Sequence, residues 1–145
     1  MSTTAGIIIL MGRILFVLFP GYQSGIKGHL RNPQGLAGYA KSANLPMPVL
    51  GGWPAGLWLV ASSLSIALGI WPDIGSLMLG LFVIVAAAYF HRYWEIEDQA
   101  QRQMQSSLFW RNVIMLGACL IMFGFFATVD EALRFSITDS LINLR

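Results

Sequence analysis

The chain has 145 residues, of which 56% are hydrophobic and 11% charged, and its formal net charge is +2. A soluble domain carries about 25% charged residues, so this composition excludes an ordinary soluble protein and predicts one compact helical unit covered by lipid. The small net charge, without a basic patch away from the membrane ends, excludes nucleic acid as a partner. The single cysteine, Cys119, excludes an intrachain disulfide and is interpreted as a packing residue.

The first predicted membrane span covers residues 6–26 and contains Arg13. An arginine in the middle of the hydrocarbon costs on the order of 3 kcal/mol on insertion scales. The span can begin near Met11, Arg13 can snorkel to the head groups, or it can face the bundle and meet a partner; we prefer snorkelling. Later in the span, Gly21 and Gly25 stand at GxxxG spacing, which predicts close approach of another helix.

The connection between the first two spans, residues 27–50, is the longest polar segment of the chain. Within it, residues 34–40 place apolar side chains on one helical face, which predicts a short interfacial helix that caps the bundle. Asn44 and the pair Pro46 and Pro48 are expected to end this helix.

Three further spans are predicted at residues 49–70, 74–93 and 108–128. The third is the clearest, because no charge occurs from Ile74 to Phe90 and the run closes with aromatic and basic residues. Pro72 and Asp73 form a tight turn, so the second and third spans are expected to be antiparallel neighbours. The sequence therefore predicts an all-α integral membrane protein, a four-transmembrane-helix bundle with residues 1–128 as one domain.

The C-terminal tail, residues 129–145, carries a second helical pattern. Thr128 and Glu131 have the spacing of a capping box. Four apolar residues then recur at helical spacing: Leu133, Ile137, Leu141 and Leu144. This pattern predicts an amphipathic C-terminal helix that lies on the membrane surface or docks against a partner.

Four spans place both termini on one side of the membrane. Six of the nine Lys and Arg residues lie on the side of the two long loops, and three lie on the side of the termini. The first group is Lys27, Arg31, Lys41, Arg92, Arg102 and Arg111; the second is Arg13, Arg134 and Arg145. The positive-inside rule places the long loops in the cytoplasm and the termini outside.

Polar side chains converge at one membrane face. The two histidines, His29 and His91, are expected there, and four more residues should reach the same depth: Gln23, Trp94, Arg111 and Asn112. The preferred interpretation is that these side chains anchor the helices among lipid head groups. The alternative is a binding site for a quinone or lipid head group, which needs donors, an aromatic or apolar slot and access from the lipid. A bis-histidine haem between His29 and His91 is a weaker alternative, and no metal site is expected, since no third or fourth soft ligand lies nearby.

Several motifs in order resemble the DoxX family. They are Gly12-Arg13-Ile14-Leu15, Ser24-Gly25, His29-Leu30-Arg31-Asn32-Pro33-Gln34-Gly35, Tyr39-Ala40, Leu45-Pro46-Met47-Pro48, Ala67-Leu68-Gly69, Phe90-His91-Arg92-Tyr93-Trp94 and Phe109-Trp110-Arg111-Asn112 with Gly117. The resemblance implies a four-helix bundle in a prokaryotic cytoplasmic membrane. It also implies association with membrane oxidoreductase complexes, among them thiosulfate:quinone oxidoreductase and an actinobacterial complex linking thiol and superoxide defence. One departure is Leu59, where the family often carries a glutamate in the second span.

The resulting functional hypothesis is a small integral membrane subunit that assembles with or stabilises a larger, redox-linked membrane complex. It is not expected to be catalytic on its own. Its expected partners are the lipid bilayer and other membrane protein subunits. The alternative is a quinone- or quinol-interacting subunit of a membrane oxidoreductase, and a third hypothesis is a helper for the folding or export of another membrane protein.

Overall fold

A computed structural model of the protein describes residues 2–129, 133 and 135–144. These residues contain helices and irregular segments and no β-strand. The helices are α1 (Thr3–Val17), which continues as a π-helix (Leu18–Leu30), α2 (Pro33–Ser42), α3 (Trp53–Leu68), α4 (Pro72–Phe90) and α5 (Gln99–Thr128). Short 3₁₀ turns lie at Pro48–Gly51 and Tyr93–Glu95. The all-α prediction is confirmed.

Three helical segments are long and apolar enough to cross a bilayer: Thr3–Leu30, Pro72–Glu95 and Gln99–Thr128. The predicted second span corresponds to α3, which is apolar but has only 16 residues. At about 1.5 Å per residue, α3 is about 24 Å long, less than the roughly 30 Å of hydrocarbon in a bilayer. Among the described residues, three helices are therefore long and apolar enough to cross a membrane, and a fourth apolar helix is shorter.

The first helix changes its hydrogen-bonding pattern at Leu18. From Leu18 to Leu30 it is a π-helix that includes Pro20, whose missing N–H removes a backbone donor. The close approach predicted for the glycines is confirmed. A Cβ on Gly21 would lie 2.7 Å from the Cβ of Ser63 on α3, and one on Gly25 would lie 3.2 Å from the Cβ of Leu59.

The helices pack in the order α1 and π-helix, α3, α4, α5, each against the next. The core cluster of buried residues is formed by Val17, Leu59, Ile66, Leu79 and Cys119. Cys119 is 1% exposed, as expected for a packing residue. The π-helix and α5 lie at the two ends of this series and share few contacts along their lengths.

The predicted helix between the first two spans is present as α2. Asn32 caps it by accepting a hydrogen bond from the N–H of Gly35 at 3.2 Å, and Pro33 occupies the first turn, where a missing N–H has no cost. The chain leaves the helix before Asn44, which has a positive φ of 57°. The location of α2 at the membrane interface stays a prediction.

The sequence predicts a loop over residues 95–107, before the fourth span, but most of this segment is helical. Helix α5 begins at Gln99, because Asp98 accepts a hydrogen bond from the N–H of Gln101 at 2.8 Å and the following Gln, Ala, Arg and Met residues are good helix formers. The polar first turns of α5 thus extend beyond the predicted span.

The prediction of an amphipathic C-terminal helix is wrong for the described part of the tail, because Leu133 and residues 135–144 contain no helix. Two causes act against a helix: Phe135 has a positive φ of 68°, and Thr, Asp, Ser and Asn side chains compete for backbone groups. Asp130 and Glu131, which complete the predicted capping box, lie outside the described residues.

Residues 135–144, called the C-terminal strap from here on, instead hydrogen-bond to the ends of α3, α4 and α5. The N–H of Thr138 donates to the carbonyl of Gly69 at 3.0 Å, and the N–H of Leu144 donates to that of Ala127 at 3.0 Å. One carboxylate oxygen of the fully buried Asp73 accepts from the N–H groups of Leu141, at 3.0 Å, and Ile142, at 2.8 Å.

Arg13 does not snorkel, so the preferred interpretation of this residue is wrong. It is 3% exposed and donates to the carbonyls of Ile66, at 2.8 Å, and Ala67, at 2.6 Å, in the last turn of α3. It also donates to the Ser136 hydroxyl at 3.0 Å and the Phe135 carbonyl at 3.2 Å in the C-terminal strap. The guanidinium therefore binds free carbonyls at a helix C-terminus, where positive charge is favoured.

Candidate functional site

A cavity of about 620 Å³ lies between the π-helix, the α2 segment, α3, α4 and α5. Its walls are mainly apolar and include Phe19, Trp58, Leu59, Phe82 and Met115. The π-helix provides one wall, and π-helical segments occur frequently at functional sites. A cavity of this size with mainly apolar walls is typical of small-molecule binding sites.

Four of the six predicted site residues line this cavity: His29, His91, Arg111 and Asn112. Gln23 is exposed and lies on a part of the π-helix that is not in the cavity wall. Trp94 is also outside the wall; it is 54% exposed and packs edge-on against Tyr93 and Phe109. The expected depth was the same for all six, but depth does not define which side of a helix faces the interior.

His29 is buried and its orientation is fixed by the backbone. Its Nδ1 lies 2.7 Å from the carbonyl oxygen of Gly51, at the end of the 3₁₀ turn before α3. The ring packs edge-on against Phe82, with 5.9 Å between centroids. The backbone of Gly52 also lies close to the ring, and no hydrogen bond of Nε2 meets the geometric limits among the described residues.

His91 lies where α4 ends, at the opposite end of the cavity. Its Nδ1 is 2.8 Å from Oε1 of Gln105 in the polar first turns of α5. Sequence reasoning missed Gln105 because it assigned this residue to a loop. The one available signal was the run of helix-forming residues after Asp98.

The two histidines lie at different heights along α4. Phe82, which contacts His29, precedes Phe90 by eight residues, or about 12 Å of helical rise. His91 directly follows Phe90. The bis-histidine haem stays the weaker alternative.

Arg111 lines the cavity and is exposed. Its guanidinium carbon lies 4.5 Å from the centroid of the Phe19 ring on the π-helix, a cation–π contact that bridges the otherwise sparsely connected π-helix and α5. Next to it, the buried Asn112 donates to the carbonyl of Leu108 at 3.1 Å.

No aspartate or glutamate lies among the described residues that line the cavity. Leu59, which stands where the related family often carries a glutamate, is 1% exposed and forms part of the wall. The ionisable side chains other than tyrosine that face the cavity are all basic: His29, His91 and Arg111. The site therefore suits a neutral or anionic head group and not a cation.

Aromatic and basic residues beside the cavity fit the anchoring interpretation. Trp94 and Trp110 are each 54% exposed and both pack edge-on against Phe109. Arg92 pairs with Glu95 at 3.1 Å and donates to the carbonyl of Ala43 at 3.2 Å. Exposed tryptophans are typical of membrane interfaces, and neither Trp94 nor Trp110 lines the cavity, so this cluster and the cavity are adjacent but distinct.

The family model described as DoxX matches residues 8–92. The matched range includes Arg13, His29 and His91 and ends before Gln105, Arg111 and Asn112. No curated protein and no solved structure matches the chain.

Proposed function

Since the chain belongs to the DoxX family of membrane proteins, we propose that it is a four-span integral membrane subunit that holds a quinone-type head group in its lateral cavity. The observation that carries this proposal is the meeting of His29, His91 and Arg111 in one mainly apolar cavity. A quinone-type head group, oxidised or reduced, needs hydrogen-bonding partners for its oxygens and an apolar slot for its ring and chain. The polar lining residues and the mainly apolar walls of the cavity suit these needs, and we infer that the head group enters from the lipid between the π-helix and α5.

The fourth span in this proposal is α3. The C-terminal strap lies across the turn between α3 and α4 through the hydrogen bonds of Ile137 and Thr138 to Gly69. This arrangement satisfies backbone groups near the membrane surface, where irregular backbone must be hydrogen-bonded by protein or water. A short helix closed by such a segment is compatible with a complete crossing.

Binding is tested by filling the cavity. Trp58 lines it, so a bound quinone should quench the fluorescence of this residue. We expect saturable quenching by decylubiquinone in detergent-purified protein, and a loss of affinity of at least tenfold when Ala55 in the wall is replaced by phenylalanine. The matched control is Ala88→Phe, on the exposed side of α4, which should bind as the wild type does. Non-saturable quenching that is equal in all three proteins would refute the site.

A second function, assembly with a partner membrane subunit, is favoured by the exposure of α5. Only 11% of its most apolar stretch is buried, against 39% for the segment that begins with α4. Ile114 and Ile121 on this helix are 72% and 75% exposed. Gentle extraction followed by native mass spectrometry tests this function: a partner chain at fixed ratio supports it, and a protein that always leaves the membrane alone argues against it.

A further inference from the structure

The hydrogen bond of His29 determines which of its nitrogens carries the proton. A backbone carbonyl can only accept a hydrogen bond, so Nδ1 of His29 must donate to the oxygen of Gly51, 2.7 Å away. In the neutral imidazole the other nitrogen, Nε2, is then an acceptor. The tautomer follows from the chemistry of the partner and does not depend on the placement of hydrogens.

The surroundings of His29 favour the neutral ring. The residue is 9% exposed, its ring packs against Phe82, and among the described residues no carboxylate lines the cavity to pair with an imidazolium. An unpaired charge in such a place is costly. His29 therefore presents a hydrogen-bond acceptor to a ligand.

The other end of the cavity has the opposite character. Arg111 has only donors. His91 pairs with Gln105, and because an amide can donate or accept, this pair can present either a donor or an acceptor. The cavity thus has a fixed acceptor at His29 and a fixed donor at Arg111.

We propose that His29 makes the cavity selective for the hydroxyl-bearing, reduced form of the head group over the oxidised form. This inference rests on the proposed quinone-type ligand. A quinol hydroxyl donates to Nε2 of His29, and the oxygen of its second hydroxyl accepts from Arg111. A quinone carries only acceptors, so its carbonyl faces another acceptor at His29 and the buried hydrogen bond is not formed. The missing hydrogen bond accounts for most of the expected loss of affinity.

Calorimetry under anaerobic conditions, with decylubiquinol and decylubiquinone as probes on the purified full-length chain, tests the inference. We expect the quinol to bind at least about fivefold tighter than the quinone, the factor that one net hydrogen bond supplies. The mono-methyl ethers of the quinol keep one hydroxyl and provide a control without mutation. The dimethyl ether has no hydroxyl and should lose the whole advantage in affinity over the quinone. In His29→Phe the ratio of the two affinities should fall to about one.

The outcomes distinguish a failure of the proposed function from a failure of the inference about His29. Binding of neither form overturns the proposed function and this inference with it. Equal binding of both forms, or tighter binding of the quinone, overturns the inference and leaves the proposed function standing. If His29→Phe does not fold, ¹⁵N NMR of histidine-labelled wild-type protein decides: His29 with its proton on Nε2 would refute the assigned tautomer.

Discussion

At the scale of single residues, glycine controls how closely the first helix approaches α3. At Gly21 the side chain of Ser63 occupies the space that a Cβ would need, at 2.7 Å. Ser63 is itself buried at 4% exposure, so it has little room to move. At Gly12, on the same helix, nothing lies within 4 Å of the corresponding position. Replacement of these two glycines by alanine is therefore expected to have opposite effects on stability.

We predict that Gly21→Ala lowers the free energy of unfolding by about 1–3 kcal/mol, because the added methyl group overpacks the contact with α3. The control Gly12→Ala should raise it by up to about 1 kcal/mol, since alanine is the better helix former. Thermal unfolding followed by circular dichroism in detergent measures both. Equal effects of the two substitutions would contradict the tight contact.

At the scale of elements, the C-terminal strap and the buried Arg13 depend on each other. Arg13 uses two acceptors in the last turn of α3 and two in the strap. Asp73, in the first turn of α4, holds the strap at its other end through Leu141 and Ile142. A charged residue in each of two membrane helices thus hydrogen-bonds to a non-helical segment distant in sequence, although Oδ1 of Asp73 has no partner among the described residues.

A stop codon at Phe135 should therefore destabilise the protein by about 2–4 kcal/mol, since it removes partners from two buried charged groups. The control is Leu141→Ala in the full-length chain, because this side chain is 61% exposed and its change should stay within about 0.5 kcal/mol. Fluorescence-detected size-exclusion chromatography after heating measures both variants. A truncated protein as stable as the wild type would show that the strap contributes nothing to folding.

At the scale of the whole molecule, the number of crossings decides where the cavity lies relative to the cytoplasm. Four crossings put Ser2 and Leu144 on one side and Ser42, at the end of α2, on the other. From the distribution of Lys and Arg we predict that the loop side lies in the cytoplasm. The crossing number depends on α3, whose 16 residues are fewer than a span usually needs.

We predict that Ser2→Cys and Leu144→Cys react with a membrane-impermeant maleimide in intact cells, whereas Ser42→Cys reacts only after permeabilisation. Cys119 is buried and serves as the unreactive background. Reaction of Ser2→Cys and Leu144→Cys from opposite sides would mean an odd number of crossings. The reverse pattern at all three positions would keep four crossings and invert the orientation.

The sequence was sufficient for the features that depend on local pattern and composition. The uncharged run from Ile74 to Phe90 identified a membrane helix, because lipid accepts a helix only when its side chains are apolar. The apolar face of residues 34–40 indicated α2, and the spacing of Gly21 and Gly25 indicated a close contact. Each of these signals lies within a few residues of the structure that it predicts.

Only the tertiary structure decided what depends on distant residues. The strap replaced the predicted tail helix because Arg13, Gly69 and Asp73 offer its backbone partners that no local pattern reveals. Likewise, His29 and Arg111 share a cavity while Gln23 does not, since the rotation of each helix is set by packing. The tautomer of His29, and with it the selectivity of the site, depends on the carbonyl of Gly51, 22 residues away. Hydropathy indicates how deep in the membrane a residue lies, but the packing of the helices determines which way its side chain faces.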